Sequence, residues 1–226
     1  MEQENIWDNY WKKGLKFKIS EFFRKNIISK EVYFYANSYL PDEGIILECG
    51  SGGGESSIYL ANSNRTIVAA DISLSALRIA RGKNFYKYLV VCDICHLPFK
   101  KESISGLYNI GVMEHFTDEQ LKIILKGFKD VLISKGKATI FWPFALAPFV
   151  LFHTVFTTFI LFPFYFLHKK FYNVLNKKVH SAFPEGYWLF FNPSKTRKLL
   201  NSSGFTKIKF KLSLFFFSHC VIYLEK

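Results

Sequence analysis

The stretch IILECGSGGG, from Ile45 to Gly54, decides the fold class of this chain. It begins with a short apolar run of the kind that forms a buried strand. The glycines that follow let the backbone turn sharply and let a ligand approach it closely. A helix is predicted over 55–62, and its first turn would direct free backbone N–H groups and the positive end of the helix dipole at that ligand. The stretch therefore predicts a strand, a ligand-binding turn and a helix.

Strands and helices alternate along the 226 residues, a length that suits one α/β domain. Helices are predicted from about Trp7 to Leu40, from the N-cap residues Ser73 and Thr117, and from Asn192-Pro193. Strands are predicted over 44–49, 66–70, 88–92, 107–112, 138–142, 205–212 and 214–224. This alternation predicts an α/β fold with a doubly wound, seven-stranded, mostly parallel sheet covered on both faces. A very short turn joins the final two strands, so we expect the last strand to be antiparallel.

The spacing of the glycines separates two kinds of nucleotide site. A dinucleotide-binding turn would need glycines at positions 50, 52 and 55, but position 55 is Glu55. A dinucleotide-linked oxidoreductase is therefore disfavoured. The acidic Glu48 followed by Gly50, Gly52 and Gly54 instead resembles motif I of the class I S-adenosylmethionine-dependent methyltransferases (type 11-like domain). The resemblance implies a Rossmann-like fold, S-adenosylmethionine as the cofactor, and contact between Glu48 and its amino end, sometimes through water.

Two further strand ends extend the resemblance. Asp71 ends the second strand, where a carboxylate can accept hydrogen bonds from both ribose hydroxyls of a nucleotide. Asp93 begins a segment similar to the family's Asp-x-x-x-Leu-Pro-Phe, in which the Asp accepts a hydrogen bond from the adenine amino group. The resemblance implies a set of cofactor-binding residues, in which Ile72 packs on the adenine: Glu48, Gly50, Ser51, Gly52, Asp71, Ile72, Asp93, Ile94 and Asn109.

The segment NIGVMEHF, from Asn109 to Phe116, resembles the family's sequence after the fourth strand. In that family Asn109 would lie beside the sulfonium side of the cofactor, and His115 at the mouth where methyl acceptors enter. Histidine titrates in a range that suits a general base, so His115, with Glu114, is the candidate catalytic group. The alternative is that this Glu-His pair only shapes the loop and caps the next helix.

The four cysteines give no framework for a metal or a disulfide. Cys92 and Cys95 form a CxxC pair, but a zinc site needs a second pair of ligands, and only the scattered Cys49 and Cys220 remain. We therefore expect no metal. Cysteines that lie in apolar runs fit a reducing, cytoplasmic compartment.

The region 144–191 is predicted to be a hydrophobic and basic insertion after the fifth strand. It would separate a cofactor-binding core (44–143), preceded by an N-terminal helical cover (1–43), from a C-terminal helix and strand pair (192–226), all in a single domain. Residues 141–167 contain no Lys, Arg, Asp or Glu, and residues 168–211 contain ten Lys or Arg against one acid. This pattern predicts peripheral or monotopic association with an anionic inner membrane face, in which Ala145–Leu167 enters the surface without crossing it. A buried lid or a dimer face is the alternative.

The function that follows is methyl transfer from S-adenosylmethionine to a small-molecule or lipid-linked acceptor, by in-line attack on the sulfonium methyl. A catalytically silent cofactor-binding scaffold at a membrane is one alternative. A nucleic-acid methyltransferase is another, and the net charge of +12 fits an anionic partner of either kind. Nucleic acid is the less expected partner, because 109–112 lacks the Asn/Asp-Pro-Pro-aromatic tetrad and no Pro-Cys pair is present. The acceptor's identity and the oligomeric state are left open.

Overall fold

Seven strands form one sheet in the computed structural model, which describes residues 2–12, 24–61, 64–143, 193–214 and 219–226. The strands are β1 (Glu43–Cys49), β2 (Asn64–Asp71), β3 (Tyr86–Val91), β4 (Ile104–Ile110), β5 (Leu132–Pro143), β6 (Lys207–Leu212) and β7 (His219–Glu225). Their order is β3-β2-β1-β4-β5-β7-β6, and β7 runs antiparallel to both of its neighbours while the other pairs are parallel. The predicted Rossmann-like sheet with an antiparallel last strand is confirmed.

Helices connect and cover the strands. The α-helices are α1 (Glu2–Lys12), α2 (Ser29–Ala36), α3 (Leu74–Ala80), α4 (Asp118–Val131) and α5 (Pro193–Ser202). A π-helical turn (Arg24–Ile28) precedes α2, and short 3₁₀ turns (Ile94–His96 and Met113–His115) follow β3 and β4.

The two faces of the sheet bury separate apolar clusters. On one face, Phe128 of α4 and Leu200 of α5 belong to the cluster that contains Leu107 of β4. On the other face, Val32 of α2 belongs to the cluster that contains Tyr108 of β4. Because neighbouring residues of a strand point to opposite faces, consecutive residues of β4 serve the two clusters. Coverage of both faces is what a mostly parallel sheet requires.

The predicted helix starts at Ser73 and Thr117 are confirmed by their cap geometry. The Ser73 hydroxyl accepts a 3.1 Å hydrogen bond from the Ala76 amide at the start of α3. At the start of α4, the Thr117 hydroxyl accepts from the Gln120 amide at 3.3 Å, and the Gln120 side chain accepts from the Thr117 amide at 2.9 Å. This reciprocal capping box satisfies two amides that the helix itself leaves unpaired.

The helix predicted over 55–62 is wrong: this segment forms consecutive turns as far as Leu60. The Leu60 amide donates to the Ser57 carbonyl at 2.9 Å, which is the spacing of a tight turn. The hydroxyls of Ser56 and Ser57 donate to the buried carboxylate of Glu48 below. Side-chain bonds of this kind draw the backbone towards β1 and compete with regular helix formation.

Parallel packing brings the functional strand ends together. Cys49, the last residue of β1, pairs with Ala70 of β2, and Glu48 pairs with Tyr108 of β4. Because β7 is antiparallel, its first residue, His219, lies opposite Pro143 at the end of β5 and therefore at the same edge. In doubly wound sheets this carboxyl edge is where ligands bind.

The hydrophobic insertion predicted over 144–191 lies outside the described residues. The described helices include none that is long and apolar enough to cross a membrane.

Candidate functional site

A cavity of about 390 Å³ lies at the carboxyl edge of the sheet. It is bounded by the glycine turn after β1, by the ends of β2, β3 and β4, by α1 with the π-helical turn, and by the first residue of β7. The lining residues are Trp7, Tyr10, Trp11, Arg24, Ile28, Gly50, Ser51, Gly52, Gly53, Glu55, Ser56, Asp71, Ile72, Cys92, Asp93, Ile94, Ile110, Gly111, Val112, His115, Phe116 and His219. The cavity therefore gathers most of the residues proposed from sequence, with Glu48, Asn109 and Glu114 as the exceptions.

The turn after β1 requires glycine at two positions. Gly50 and Gly52 have φ angles of 74° and 53°, in the left-handed region that side chains disfavour. A Cβ atom would lie 2.5 Å from Val112 Cγ2 if added at Gly50, and 2.6 Å from Trp11 Cζ2 if added at Gly52. The turn thus presents bare backbone to the cavity, as a site for a nucleotide-like ligand requires.

Asp71 holds the glycine turn against the end of β2. Its Oδ2 accepts a 2.8 Å hydrogen bond from the Gly52 amide, and its Oδ1 accepts one of the same length from the Ser73 amide. Burial raises the pKa of the Asp71 carboxyl, and the two amide bonds oppose that rise. The carboxylate lines the cavity, so it can also accept hydrogen bonds from a ligand's hydroxyl groups.

Glu48 lies beneath the turn and is 1% exposed. Its carboxylate accepts hydrogen bonds from the Ser57 hydroxyl at 2.6 Å, from the Tyr86 hydroxyl at 2.5 Å, and from the Ser56 hydroxyl. Burial raises its pKa against the effect of these donors. Of these residues, Ser56 lines the cavity. A ligand would therefore reach Glu48 through Ser56, and the direct contact implied by the resemblance stays a prediction.

Three other predicted residues offer polar and apolar contacts to a ligand. The Ser51 hydroxyl is buried in the wall and has no hydrogen-bond partner among the described residues. Asp93 uses Oδ1 to accept a 2.8 Å bond from the Cys95 amide, which fixes the carboxylate at the end of β3. Ile72 and Ile94 lie beside the two aspartates in the wall. An unpaired hydroxyl, two carboxylates and apolar side chains fit a nucleoside.

Asn109 is fully buried on β4 and does not line the cavity. Neither polar atom of its side chain has a partner within the part of the chain that is described. Its predicted position beside the sulfonium stays a prediction.

An aromatic cover, made of Trp7, Tyr10 and Trp11 on α1, closes over the turn. Asp8 fastens this helix to α3, because its Oδ1 accepts from the Ser73 hydroxyl at 2.7 Å and from the Ser75 amide at 3.0 Å. A helical cover over 1–43 was predicted from sequence, but no ligand contact was predicted for these aromatic residues. The sequence feature that could have indicated this role is the four-residue spacing of Trp7 and Trp11, which places both on one face of a helix.

Glu55 connects the aromatic cover to the core through ion pairs between its buried carboxylate and two partly exposed cations. Its carboxylate is 3.3 Å from Arg24 Nε and 3.5 Å from Lys83 Nζ. The Arg24 guanidinium lies 4.9 Å from the centroid of the Trp11 ring. Glu55, which in the sequence only disfavoured a dinucleotide site, therefore helps to position the cover.

The predicted catalytic pair is only loosely coupled. Glu114 Oε1 lies 3.9 Å from His115 Nε2, which is too long for a hydrogen bond. Burial raises the pKa of Glu114 to about 7 and lowers the pKa of His115. His115 lines the cavity and packs edge-on against Trp7, with ring centroids 4.9 Å apart.

A second histidine in the wall, His219, was not proposed from sequence. Its Nδ1 is 3.0 Å from Glu31 Oε1 and 3.1 Å from Oε2, and Glu31 is fully buried. These two residues are 188 positions apart. His219 could have been proposed from the predicted antiparallel last strand, because that direction places the first residue of the strand at the ligand-binding edge.

The CxxC cysteines, Cys92 and Cys95, are reduced and half-buried. Burial raises the pKa of each thiol, to about 11 and about 12, which keeps them protonated near neutral pH. Among the described residues no group of three or more His, Cys, Asp or Glu side chains is arranged to hold a metal ion.

A family model described as a methyltransferase domain matches residues 46–136. In curated sequences, 99 residues are 32% identical to a human protein named "Probable tRNA methyltransferase 9B"; the match covers 43% of this chain and 21% of that protein. The chain thus spans about a fifth of the length of the curated relatives it matches.

Solved structures share the fold over most of the chain. An S-adenosylmethionine-dependent methyltransferase from Archaeoglobus fulgidus aligns with a TM-score of 0.66 at 14% identity, covering 94% of this chain and 100% of that one. Magnesium protoporphyrin IX methyltransferase from Synechocystis PCC 6803, with bound S-adenosylhomocysteine, aligns with a TM-score of 0.56 at 18% identity, covering 90% and 83%. At these identities the structural likeness shows the fold.

Proposed function

We propose that this chain, a member of the class I S-adenosylmethionine-dependent methyltransferases, methylates a small-molecule or lipid-linked acceptor that binds under the aromatic cover. One observation carries the acceptor class. Among the described residues, Arg24 is the single Lys or Arg in the cavity wall, and it is paired with Glu55. A wall rich in aromatic rings and poor in cations suits an apolar or neutral acceptor better than a phosphate backbone.

The residues around the glycine turn fit S-adenosylmethionine. Gly50 and Gly52 would let the ligand approach the backbone, and the unpaired Ser51 hydroxyl would gain a partner. Asp71 would bind the ribose hydroxyls and Asp93 the adenine amino group. When bound, the cofactor supplies a methyl group that is already activated. The chain's own part is to orient the acceptor and to exclude water, which the aromatic cover would do.

Apolar side chains near the carboxyl edge support a lipid-linked acceptor. Leu214, after β6, is 67% exposed, and its amide donates to the Tyr35 hydroxyl of α2 at 2.6 Å. The adjacent Phe34 is 54% exposed. Together with the uncharged run over 141–167 and the basic run after it, these residues favour peripheral association with the cytoplasmic face of an anionic membrane.

The test is a transfer assay with methyl-labelled S-adenosylmethionine. The protein is incubated in parallel with a lipid extract and with a soluble metabolite pool. We expect label to enter one of these pools, and purified protein to bind S-adenosylhomocysteine but not NAD. Binding without transfer to any pool would favour the cofactor-binding scaffold, and preference for NAD would exclude the methyltransferase function.

A nucleic-acid methyltransferase is the second candidate, because the curated relatives are named for tRNA. A third arm of the assay therefore contains total tRNA. Transfer to tRNA alone, weakened steeply by salt as phosphate contacts are screened, would replace the proposed acceptor class.

A further inference from the structure

We infer that His219, oriented by Glu31, is the general base of the methyl transfer, and that the acceptor therefore carries a hydroxyl group that must lose its proton. The inference rests on the function proposed above and narrows its acceptor class.

His219 lies in the wall of the cavity at the carboxyl edge of the sheet. It is the first residue of β7 and lies opposite Pro143 at the carboxyl edge of the sheet. It lines the same cavity as the glycine turn and as Gly111 and Val112, which follow β4. The fold therefore places an imidazole in the wall where an acceptor under the aromatic cover can reach it.

Glu31 gives His219 the partner that a histidine base needs. Both carboxylate oxygens lie within 3.1 Å of Nδ1, and the carboxylate is buried on α2. A carboxylate at this nitrogen keeps the hydrogen on Nδ1 and stabilises the imidazolium that forms when Nε2 takes a proton. Nε2 is thus the ring nitrogen through which His219 acts.

The other histidine in the wall has a weaker arrangement. The carboxylate of Glu114, the other member of the predicted pair, is 3.9 Å from the His115 ring, beyond hydrogen-bond reach, and burial disfavours the imidazolium of His115. Glu114 has its pKa raised to about 7 by burial, so its carboxylate is a poor counter-ion near neutral pH. His219 therefore replaces His115 as the candidate base.

The methyl transfer needs no further reactant. The acceptor oxygen forms the new bond to the methyl carbon while the carbon–sulfur bond breaks, and that electron pair stays on sulfur. The acceptor proton passes to Nε2 of His219 and leaves to water after the product has gone. A neutral amine needs no such base, so a carboxylate-oriented histidine favours a hydroxyl acceptor.

Transfer assays with labelled S-adenosylmethionine and whichever acceptor pool the wild type labels provide the first test. His219→Ala and His219→Gln should lower turnover by about 10²- to 10⁴-fold, while affinity for S-adenosylhomocysteine changes by less than about twofold. Glu31→Gln, a change at a positioning residue, should lower turnover by at least about tenfold. Lys207→Gln is the control, because Lys207 is exposed on the edge strand β6 and pairs with Glu225 of β7. The label should lie on oxygen in the product.

Two readouts separate a base from a structural residue. Added imidazole should restore part of the turnover of His219→Ala, because the free base can take the place of the missing ring. ¹⁵N spectra of the neutral imidazole should show the His219 hydrogen on Nδ1 in the wild type and a changed tautomer in Glu31→Gln.

Failure of the inference and failure of the proposed function look different. If the wild type labels no pool, the methyltransferase function fails and the base with it. If the wild type labels a pool and His219→Gln does so equally well, or if the label lies on nitrogen, the general base is wrong while the function stands. Loss of turnover in His219→Ala with intact cofactor affinity and no response to imidazole would also overturn it.

Discussion

The backbone amide of Gly52 donates a 2.8 Å hydrogen bond to Oδ2 of Asp71, which joins the turn after β1 to the end of β2. The carboxylate that a ligand's ribose would meet is therefore the same group that shapes the turn beneath the ligand. Its second oxygen is held by the Ser73 amide. Loss of this side chain should affect the site twice, through the ligand contact and through the turn.

Asp71→Ala should weaken binding of S-adenosylhomocysteine by about 1–3 kcal/mol, because charge-assisted hydrogen bonds are left unmade. Isothermal titration calorimetry measures the change. Asp42→Asn is a matched control, since its carboxylate is 96% exposed and contacts Arg65 outside the cavity. An affinity equal to that of the wild type would exclude Asp71 from the cofactor site.

Gly52→Val should abolish binding, because the new side chain meets the Trp11 ring and a strained backbone conformation at once. Gly127→Ala is the control, since a Cβ there has nothing within 4 Å and lies on α4. This control should raise the free energy of unfolding by roughly 0.5–1 kcal/mol and leave binding unchanged. Thermal melts with and without S-adenosylhomocysteine report both effects; a ligand-induced shift retained in Gly52→Val would show that the turn is not the binding site.

Much of the fold could be predicted because local signals and burial agree. The apolar runs that became β1 and β2 are buried and continuous, and the caps at Ser73 and Thr117 are local. The helix predicted over 55–62 failed because Glu48, a residue of another element, engages its serine hydroxyls. The start of β5 at Leu132 was missed because the three residues after it are exposed, and two of them, Ser134 and Lys135, are polar or charged.

The site also has a part that could be predicted from the sequence and a part that could not. Gly50, Asp71 and Asp93 lie at the end of a strand or within two residues of it, so the sequence spacing predicts where they meet. The partners His219 and Glu31 come from opposite ends of the chain, and the cover depends on how Asp8 binds the start of α3. Neither pairing can be read from neighbouring residues. The sequence indicated only that the last strand is antiparallel and that Trp7 and Trp11 share a helix face.

Stability should depend on pH through Glu114. Its folded-state pKa is raised from 4.5 to about 7 by burial, so the folded state binds the proton more tightly than the unfolded state does. The contribution to stability is fully present below about pH 4.5 and is lost as the pH rises through 7. Glu114→Gln removes this titration, so the free-energy difference between wild type and variant should change by roughly 2–4 kcal/mol over that window. Urea unfolding at a series of pH values measures it, and a constant difference would contradict the raised pKa.

His115→Ala should leave turnover within about tenfold of the wild type, because His115 contributes packing against Trp7 rather than proton transfer. His115→Phe should keep that contact and recover most of the loss. Steady-state rates and cofactor affinity are compared for both variants. A loss of turnover of about 10³-fold in both, with cofactor affinity intact, would restore His115 as the base.

Exposed apolar residues near the carboxyl edge should contribute to membrane binding. Phe34 and Leu214 are 54% and 67% exposed, and the bond between the Leu214 amide and the Tyr35 hydroxyl brings their elements together. Partial burial of two such side chains in a lipid interface is worth about 1–2 kcal/mol, so the double variant Phe34→Ser, Leu214→Ser should bind anionic vesicles about five- to thirtyfold more weakly. Tyr88→Ser is the control, because Tyr88 is 57% exposed on β3, the edge strand at the other side of the sheet from β6. Flotation with phosphatidylserine-containing and neutral vesicles separates the apolar part from the salt-sensitive basic part. Wild-type protein that stays unbound to both vesicle types would contradict the proposed membrane association, and equal losses in the double variant and in Tyr88→Ser would remove this surface from the contact.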